Sequence, residues 1–210
     1  TRRGLPFVRY ADDSMIFCKS KRAAKRVKES VTRFIEGKLH LKVNRDKTVV
    51  SYVKGVKYLG YSFYVMKGKC QLTVHPKAKS KMKAKLKELT SRSNGWGYAK
   101  RKQKLEEYIK GWVGYYHLAN MKRFLIETDE WLRRRLRMCI WKSWKRVKTR
   151  VANLVKCGID KYQAYMWGNS RLGYWRIAGS YILSRAITNE KLSMAGYATL
   201  MGSYIEWHPK

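Results

Sequence analysis

Two aspartates, Asp12 and Asp13, stand side by side in the stretch FVRYADDSMIFC, which runs from Phe7 to Cys18. Adjacent carboxylates repel each other unless a cation sits between or beside them. Held on a rigid turn, their oxygens suit Mg2+, which binds through one or two carboxylates together with substrate phosphates. Pairs of metal ions held in this way clamp the attacking and leaving oxygens of a phosphoryl transfer. The bland alternative is that an Asp-Asp between two apolar runs is only a turn. A second set of residues offers a different chemistry. Arg133, Arg134, Arg135, Arg137, Lys142 and Lys145 fall within thirteen residues that contain no acidic side chain. At helical spacing Arg134, Arg137, Trp141, Lys145 and Lys148 share one face, which suits phosphate binding. Its alternative is a solvated basic face, although one without acidic partners at i,i+4.

These residues need elements to hold them. Residues 7–10 and 14–18 alternate and are rich in Val, Phe, Tyr and Ile, which predicts two strands joined through Ala11, Asp12 and Asp13. Ser20 is placed to cap a helix whose stripe is Ala24, Val27, Val31 and Phe34, with Gly37 at its end. LKVNRDKTVVSYV predicts a strand, a turn at Asn44–Lys47 and a second strand. VKYLGYSFYV and CQLTV predict strands paired across Lys67-Gly68-Lys69. The character changes at His75-Pro76, and helical patterns follow. Lys77–Arg92 carries Met82, Leu86 and Leu89, and residues 100–118 carry Leu105, Ile109, Trp112 and Tyr116. Residues 128–148 carry Leu132, Leu136, Ile140, Trp144 and Val147, with Thr128-Asp129-Glu130 as the expected start. Shorter pieces follow: 151–156, 161–167, 174–187 and 191–205. The fold class is α+β.

The chain of 210 residues carries 48 Lys and Arg against 14 Asp and Glu, so its formal charge is 48 − 14 = +34. Such a chain repels itself unless a polyanion neutralises it, and nucleic acid comes before an anionic membrane surface. It holds 8 Trp and 15 Tyr among these cations, a mixture that suits RNA, where bases stack on rings. Many of those rings must also be core. No segment has the ~20 uninterrupted apolar residues of a membrane span, and no signal-peptide pattern is present. Cys18, Cys70, Cys139 and Cys157 lie far apart and apart from the histidines, which argues against zinc and for reduced thiols.

Tyr10-Ala11-Asp12-Asp13, between FVR and SMIF, resembles the Y-x-D-D hairpin of reverse transcriptases. With Ala at the variable position it resembles the group II intron reverse transcriptase/maturase family. GKLHLKVNRDKT (Gly37–Thr48) and VKYLGYSF (Val56–Phe63) are similar to the family's next two palm blocks. YIKGWVGYY (Tyr108–Tyr116) and WLRRRLRMCIWKSWK (Trp131–Lys145) are similar to its maturase-specific segments. LGYWRIAGS (Leu172–Ser180) continues the likeness. The order is that of the family, over essentially the whole chain.

The resemblance implies the C-terminal part of a reverse-transcriptase palm at 1–74, an antiparallel sheet with a helix. It implies an all-α thumb three-helix bundle with maturase-specific helices at 75–149, and a small helical maturase unit that binds RNA or DNA at 150–210. It implies that Asp12 and Asp13 bind Mg2+ in a two-metal site. It places Tyr10 beneath the nucleotide or primer end, Lys47 as proton donor to the leaving pyrophosphate, and Leu59 and Gly60 beside the primer strand. For Lys47 a solvated turn lysine remains the alternative, and for Gly60 an ordinary hairpin glycine. Arg133, Arg134, Arg137, Trp141, Lys142, Lys145 and Lys148 are the expected RNA contacts. Tyr115, Tyr116, Trp167, Tyr174 and Trp175 are candidates for stacking or for the core. The implied partners are group II intron RNA, an RNA template–DNA primer duplex and target DNA, in a bacterial cytoplasmic ribonucleoprotein. The implied activity is RNA-directed DNA synthesis. The alternative is a splicing maturase that binds RNA without synthesis.

The family's third metal-binding aspartate and its fingers are expected before Thr1. The chain is therefore expected to be a poor polymerase without an N-terminal fingers and palm half, whether a separate chain or an omitted part. No endonuclease ligand cluster is seen before Lys210, which leaves open a lineage without one or a chain that stops short.

Overall fold

The computed structural model describes residues 4–209; Thr1–Arg3 and Lys210 lie outside them. It divides into two compact units, Thr1–His75 and Pro76–Lys210. The first is mixed and the second is helical, so the chain is α+β as expected.

In the first unit, β1 (Phe7–Tyr10) and β2 (Asp13–Ile16) form an antiparallel hairpin. The helix α1 (Lys21–Lys38) follows, and the Ser20 hydroxyl accepts from the Ala23 amide at 3.2 Å, the expected cap. The helix runs one residue beyond Gly37, and His40, not a glycine, takes the left-handed conformation after it (φ 52°). A second antiparallel sheet runs β3 (Lys57–Tyr58), β4 (Tyr61–Met66) and β5 (Lys69–Val74) in sequence order. Its turns are two residues long, Leu59-Gly60 and Lys67-Gly68, and all four residues have positive φ. That is the turn whose twist matches paired strands.

The expected strands either side of Asn44–Lys47 do not form. The turn does: the Asn44 side chain accepts from the Lys47 amide at 3.0 Å, and its carbonyl accepts from the Thr48 amide at 3.0 Å. The flanking residues have β-type sequences but no ladder partner among the described residues. A strand is defined by the neighbour that takes its backbone groups, and alternation cannot supply one.

The second unit packs α2 (Pro76–Leu89), α3 (Tyr98–Tyr116) and α4 (Lys122–Ser143) with six shorter helices. These are α5 (Val147–Lys156), α6 (Lys161–Gly168), α7 (Tyr174–Ala178), α8 (Tyr181–Ala186), α9 (Asn189–Met194) and α10 (Leu200–Glu206). Met82, Leu86, Leu105, Ile109, Leu132 and Leu136 are fully buried, as their spacing predicts. Ile177, Ile182, Leu183 and Leu200 join that buried set from the C-terminal helices.

The long helix α4 departs from expectation at both ends. It starts at Lys122, so Thr128 and Asp129 lie inside it. Thr128 is buried, and its hydroxyl donates to the Phe124 carbonyl at 2.7 Å. Asp129 caps a different helix, accepting the Leu200 and Met201 amides of α10 at 2.8 and 2.9 Å. At the other end α4 stops at Ser143, and Val147 opens α5 instead of extending the stripe. The expected helix 174–187 is broken at Gly179, after which Ser180 caps α8. The expected helix 191–205 is likewise two: Thr188 caps α9 and Thr199 caps α10.

Candidate active-site hairpin and nucleic-acid surface

The β1–β2 hairpin pairs Phe7 with Ile16, Val8 with Met15, Arg9 with Ser14 and Tyr10 with Asp13. Only Ala11 and Asp12 are left for the turn. Asp13 therefore belongs to β2, facing Tyr10 across the ladder, on the side of the hairpin that also carries Val8 and Met15. Ala11 sits at φ 51°, a conformation that an L-residue with a Cβ adopts at a cost of about 1–2 kcal/mol. The Arg9 Nε–H donates to the Ala11 carbonyl at 2.9 Å and steadies the turn. The result is two exposed carboxylates at the tip, with Tyr10 beside them, also exposed. Both carboxylates are open to an incoming cation. The donor set fits Mg2+, which takes oxygen ligands and completes its shell with waters or phosphates. No group of three or more His, Cys, Asp or Glu with metal-binding arrangement occurs among the described residues.

Lys47 is exposed and closes the Asn44 turn through its backbone amide, which leaves its ammonium directed by no described ion pair. Leu59 and Gly60 form the β3–β4 turn, and the Gly60 carbonyl accepts from the His75 amide at 2.9 Å. That bond ties the turn to the end of β5.

The basic helix divides its cations differently from the expectation. Arg133 is 4% exposed and Arg137 9%, and Trp141 is 2% exposed. These three are held inside the unit rather than on its surface. Their neighbour Arg135 is buried too. Arg135 and Arg137 find carbonyl oxygens at the ends of other helices, whereas Arg133 has one hydroxyl acceptor and its buried Nη1 has none. Arg135 donates to the Lys87 and Thr90 carbonyls at 3.0 and 2.9 Å, just where α2 ends. Arg137 donates to the Ile187 carbonyl at 2.8 Å, at the end of α8, and to the Asn189 side chain at 2.9 Å. Arg133 donates to the Ser193 hydroxyl at 3.1 Å. The last carbonyls of a helix lack intrahelical donors and carry partial negative charge, so a cation is a suitable cap. Burial pulls all three guanidinium pKa values below their ordinary range; the Asp129 carboxylate pulls that of Arg133 back up. Burial in turn pushes the Asp129 carboxyl up, against the pull of its two amide donors and of Arg133.

Lys142, Lys145 and Lys148 remain exposed, and none of the ion pairs among the described residues uses them. Arg134 is intermediate. It donates from Nε and Nη2 to the Trp175 carbonyl at 3.2 and 2.9 Å, and its guanidinium lies 4.1 Å from the centre of the Trp175 ring. Of the stacking candidates, Tyr115 and Trp175 are exposed, and Trp167 and Tyr174 are half-buried. Tyr116 packs on Trp112, with ring centres 4.6 Å apart. The loop Ser91–Gly97, whose sequence reads only as a helix break, adds Arg92, 4.6 Å from the centre of the Tyr174 ring. Nothing local to SRSNGWG announces that partner, which lies on α7.

No helix among the described residues is long and apolar enough to cross a membrane. Residues 1–63 match the reverse transcriptase (RNA-dependent DNA polymerase) family. Residues 79–158 match the group II intron maturase-specific domain. A comparison with curated proteins found no match.

Proposed function

The chain belongs to the group II intron reverse transcriptase/maturase family, and from that premise we propose a division of labour between its two units. The family joins RNA-directed DNA polymerase and splicing maturase functions, and its two matched domains imply binding to intron RNA and nucleic-acid substrates. The first unit is the part of the palm that carries Asp12 and Asp13. The second unit is the thumb and maturase surface. The observation that supports this most is the hairpin itself, two exposed carboxylates at the tip of a two-residue turn beside Tyr10.

In this reading the Asp12 and Asp13 oxygens would hold Mg2+ together with a third carboxylate from another palm strand. Mg2+ bound there would neutralise charge on the phosphoryl oxygens during nucleotidyl transfer. Tyr10 packs beneath the nucleotide or primer end and fixes its height above the carboxylates. Lys47 Nζ gives a proton to the departing pyrophosphate. The Leu59-Gly60 turn supports the primer strand, where a residue without a Cβ lets a backbone approach closely. A fingers and palm half, in the same or another chain, packs on the open apolar residues of the hairpin. Lys142, Lys145 and Lys148, with Arg134 beside them, hold phosphates of intron RNA, the template–primer duplex or target DNA, and the setting is a cytoplasmic ribonucleoprotein.

The test is Asp12→Ala and Asp13→Ala in the complete protein. Primer extension on an RNA template with Mg2+ should fall at least ~100-fold, the scale of losing an electrostatic group at the reacting centre. Intron splicing should persist. Wild-type extension by both variants would sink the assignment. A second reading, RNA binding without synthesis, draws on the buried core of the helical unit, in contrast to the exposed apolar residues of the hairpin. Extension absent from the complete wild-type protein, with splicing present, would favour it.

A further inference from the structure

On the second unit the α2–α3 loop, α4 and α7 border an open groove of about 310 Å3. It is lined by Ser91, Arg92, Ser93, Arg135, Met138 and Trp175, none of them acidic. Trp175 lines this groove, Tyr174 precedes it on α7, and both rings carry cations. The Arg92 guanidinium lies 4.6 Å and the Lys142 ammonium 5.1 Å from the centre of the Tyr174 ring. Arg134 lies 4.1 Å from the centre of the Trp175 ring and is fixed there by two hydrogen bonds to the Trp175 carbonyl. Gly179 leaves room for it: a Cβ at that position would collide with the guanidinium. Trp175 nevertheless keeps 40% of its surface exposed. Arg135 forms part of the wall, its Nε and Nη2 given to the end of α2.

Three cations, Arg92, Arg134 and Lys142, are thus gathered around two rings, and none of the ion pairs among the described residues involves them. Like charges brought together without a carboxylate call for an anion. The adjoining aromatic surface calls for a flat apolar group. A nucleotide offers both, and only an unpaired one has a base face free to stack. The groove is also at the small end of ligand sites, which start at about 300 Å3.

We propose that this groove binds one unpaired nucleotide of RNA. Its base lies against Trp175, its flanking phosphates meet Arg92 and Lys142, and the Ser91 and Ser93 hydroxyls face the ribose. The proposal rests on the reading that the second unit binds RNA, and it names what part of the RNA that unit recognises.

The test uses the full chain and three RNA hairpins at one salt concentration: a perfect duplex stem, the same stem with one bulged nucleotide, and the stem with that nucleotide made abasic. A stacked base contributes about 1–3 kcal/mol, so the bulged stem should bind about 5- to 150-fold more tightly than the abasic one. Trp175→Leu should bring that ratio close to one, and Trp175→Phe should restore part of it. Arg92→Gln should weaken the bulged and abasic stems alike and flatten their salt dependence, because it removes a phosphate contact and not a stacking surface. Equal binding of bulged and abasic stems by the wild-type chain overturns the proposal while leaving RNA binding intact. An unchanged ratio in a folded Trp175→Leu variant overturns it too. If that variant does not fold, the wild-type ratio and Arg92→Gln decide. Failure to bind any of the three RNAs removes the RNA reading itself.

Discussion

From Pro76 onward the chain buries a continuous set of apolar side chains drawn from α2, α3, α4 and the short C-terminal helices, whereas between residues 4 and 75 only Ser62 and Val74 are buried. The apolar patterning of the two regions is similar in kind. In α1 the stripe of Ala24, Val27, Val31 and Phe34 has the right spacing, yet the helix buries none of its residues and Phe34 is 56% exposed. In the hairpin Phe7, Val8, Ile16 and Phe17 are all exposed as well. In α4 the same sort of spacing yields Leu125, Leu132 and Leu136, each almost wholly buried. The difference lies in the partners. A stripe is stabilising only when another element covers it, and the helical unit supplies its own cover. The first unit is a scaffold of correct local structure with its apolar faces open.

The largest expected effect of this difference is on backbone protection. Amide hydrogen exchange in the full chain should be slower in α3 and α4 than in α1 and the hairpin by about a thousandfold or more, because opening of a packed core draws on ~5–15 kcal/mol and local opening on far less. Comparable protection in both regions would erase the contrast. Next in size are core substitutions. Leu132→Ala should destabilise the helical unit by about 2–5 kcal/mol in urea unfolding. Phe34→Ala, on the open stripe of α1, should change stability by less than about 0.5 kcal/mol. A large loss at Phe34 would mean that α1 has found a partner in solution.

A smaller effect separates the two kinds of cation on and after α4. Arg137→Leu leaves the Ile187 carbonyl without its donor and should cost about 1–3 kcal/mol, with the salt dependence of RNA binding unchanged. Replacing Lys142, Lys145 and Lys148 by Gln should do the reverse. Stability should hold, and the slope of log affinity against log salt should flatten by about 0.7–0.9 for each lost phosphate contact. A flatter slope in Arg137→Leu would return that residue to the RNA surface.

The smallest effect is a pH dependence confined to the helical unit. Burial raises the Asp129 carboxyl pKa in the folded state, so the folded state holds that proton more readily than the unfolded one. Its stabilising contribution is therefore complete below the ordinary carboxylate range and is lost as pH rises through the raised value. In the same weakly acidic window the melting temperature of Asp129→Asn should decline less with rising pH than that of the wild-type chain. Parallel profiles would show that Asp129 is not the group responsible.

Much of the hairpin was legible because its causes are local. The apolar runs either side of the aspartates set the two strands, but the sequence placed Asp13 in the connection, and only the ladder puts it in β2 opposite Tyr10. The cap by Ser20 and the Lys67-Gly68 turn are local in the same way. The strands around Asn44 were not legible as loops, because their residues favour strands and only the missing neighbour decides otherwise. Arg133, Arg137 and Trp141 were misplaced on the surface for the opposite reason. Their acceptors and cover come from segments tens of residues away, and helical periodicity places a residue on a face without saying what meets that face. Asp129 is the same lesson in one side chain. A carboxylate after Thr128 fits a helix start, but its two amide partners lie more than seventy residues on, at Leu200 and Met201.

By itself the sequence determined the α+β order, the change of character at His75-Pro76, the paired carboxylates between two strands and the family to which the chain belongs. All of these depend on residue type and near-neighbour spacing. Only the tertiary structure decided which cations face solvent and which close the ends of other helices. Only it brought Arg92 and Trp175 together at one groove and set Arg92 and Lys142 on the Tyr174 ring. The physical reason is that burial and hydrogen-bond partnership belong to pairs of elements. A guanidinium is a surface charge or a buried cap according to which carbonyl the fold brings to it.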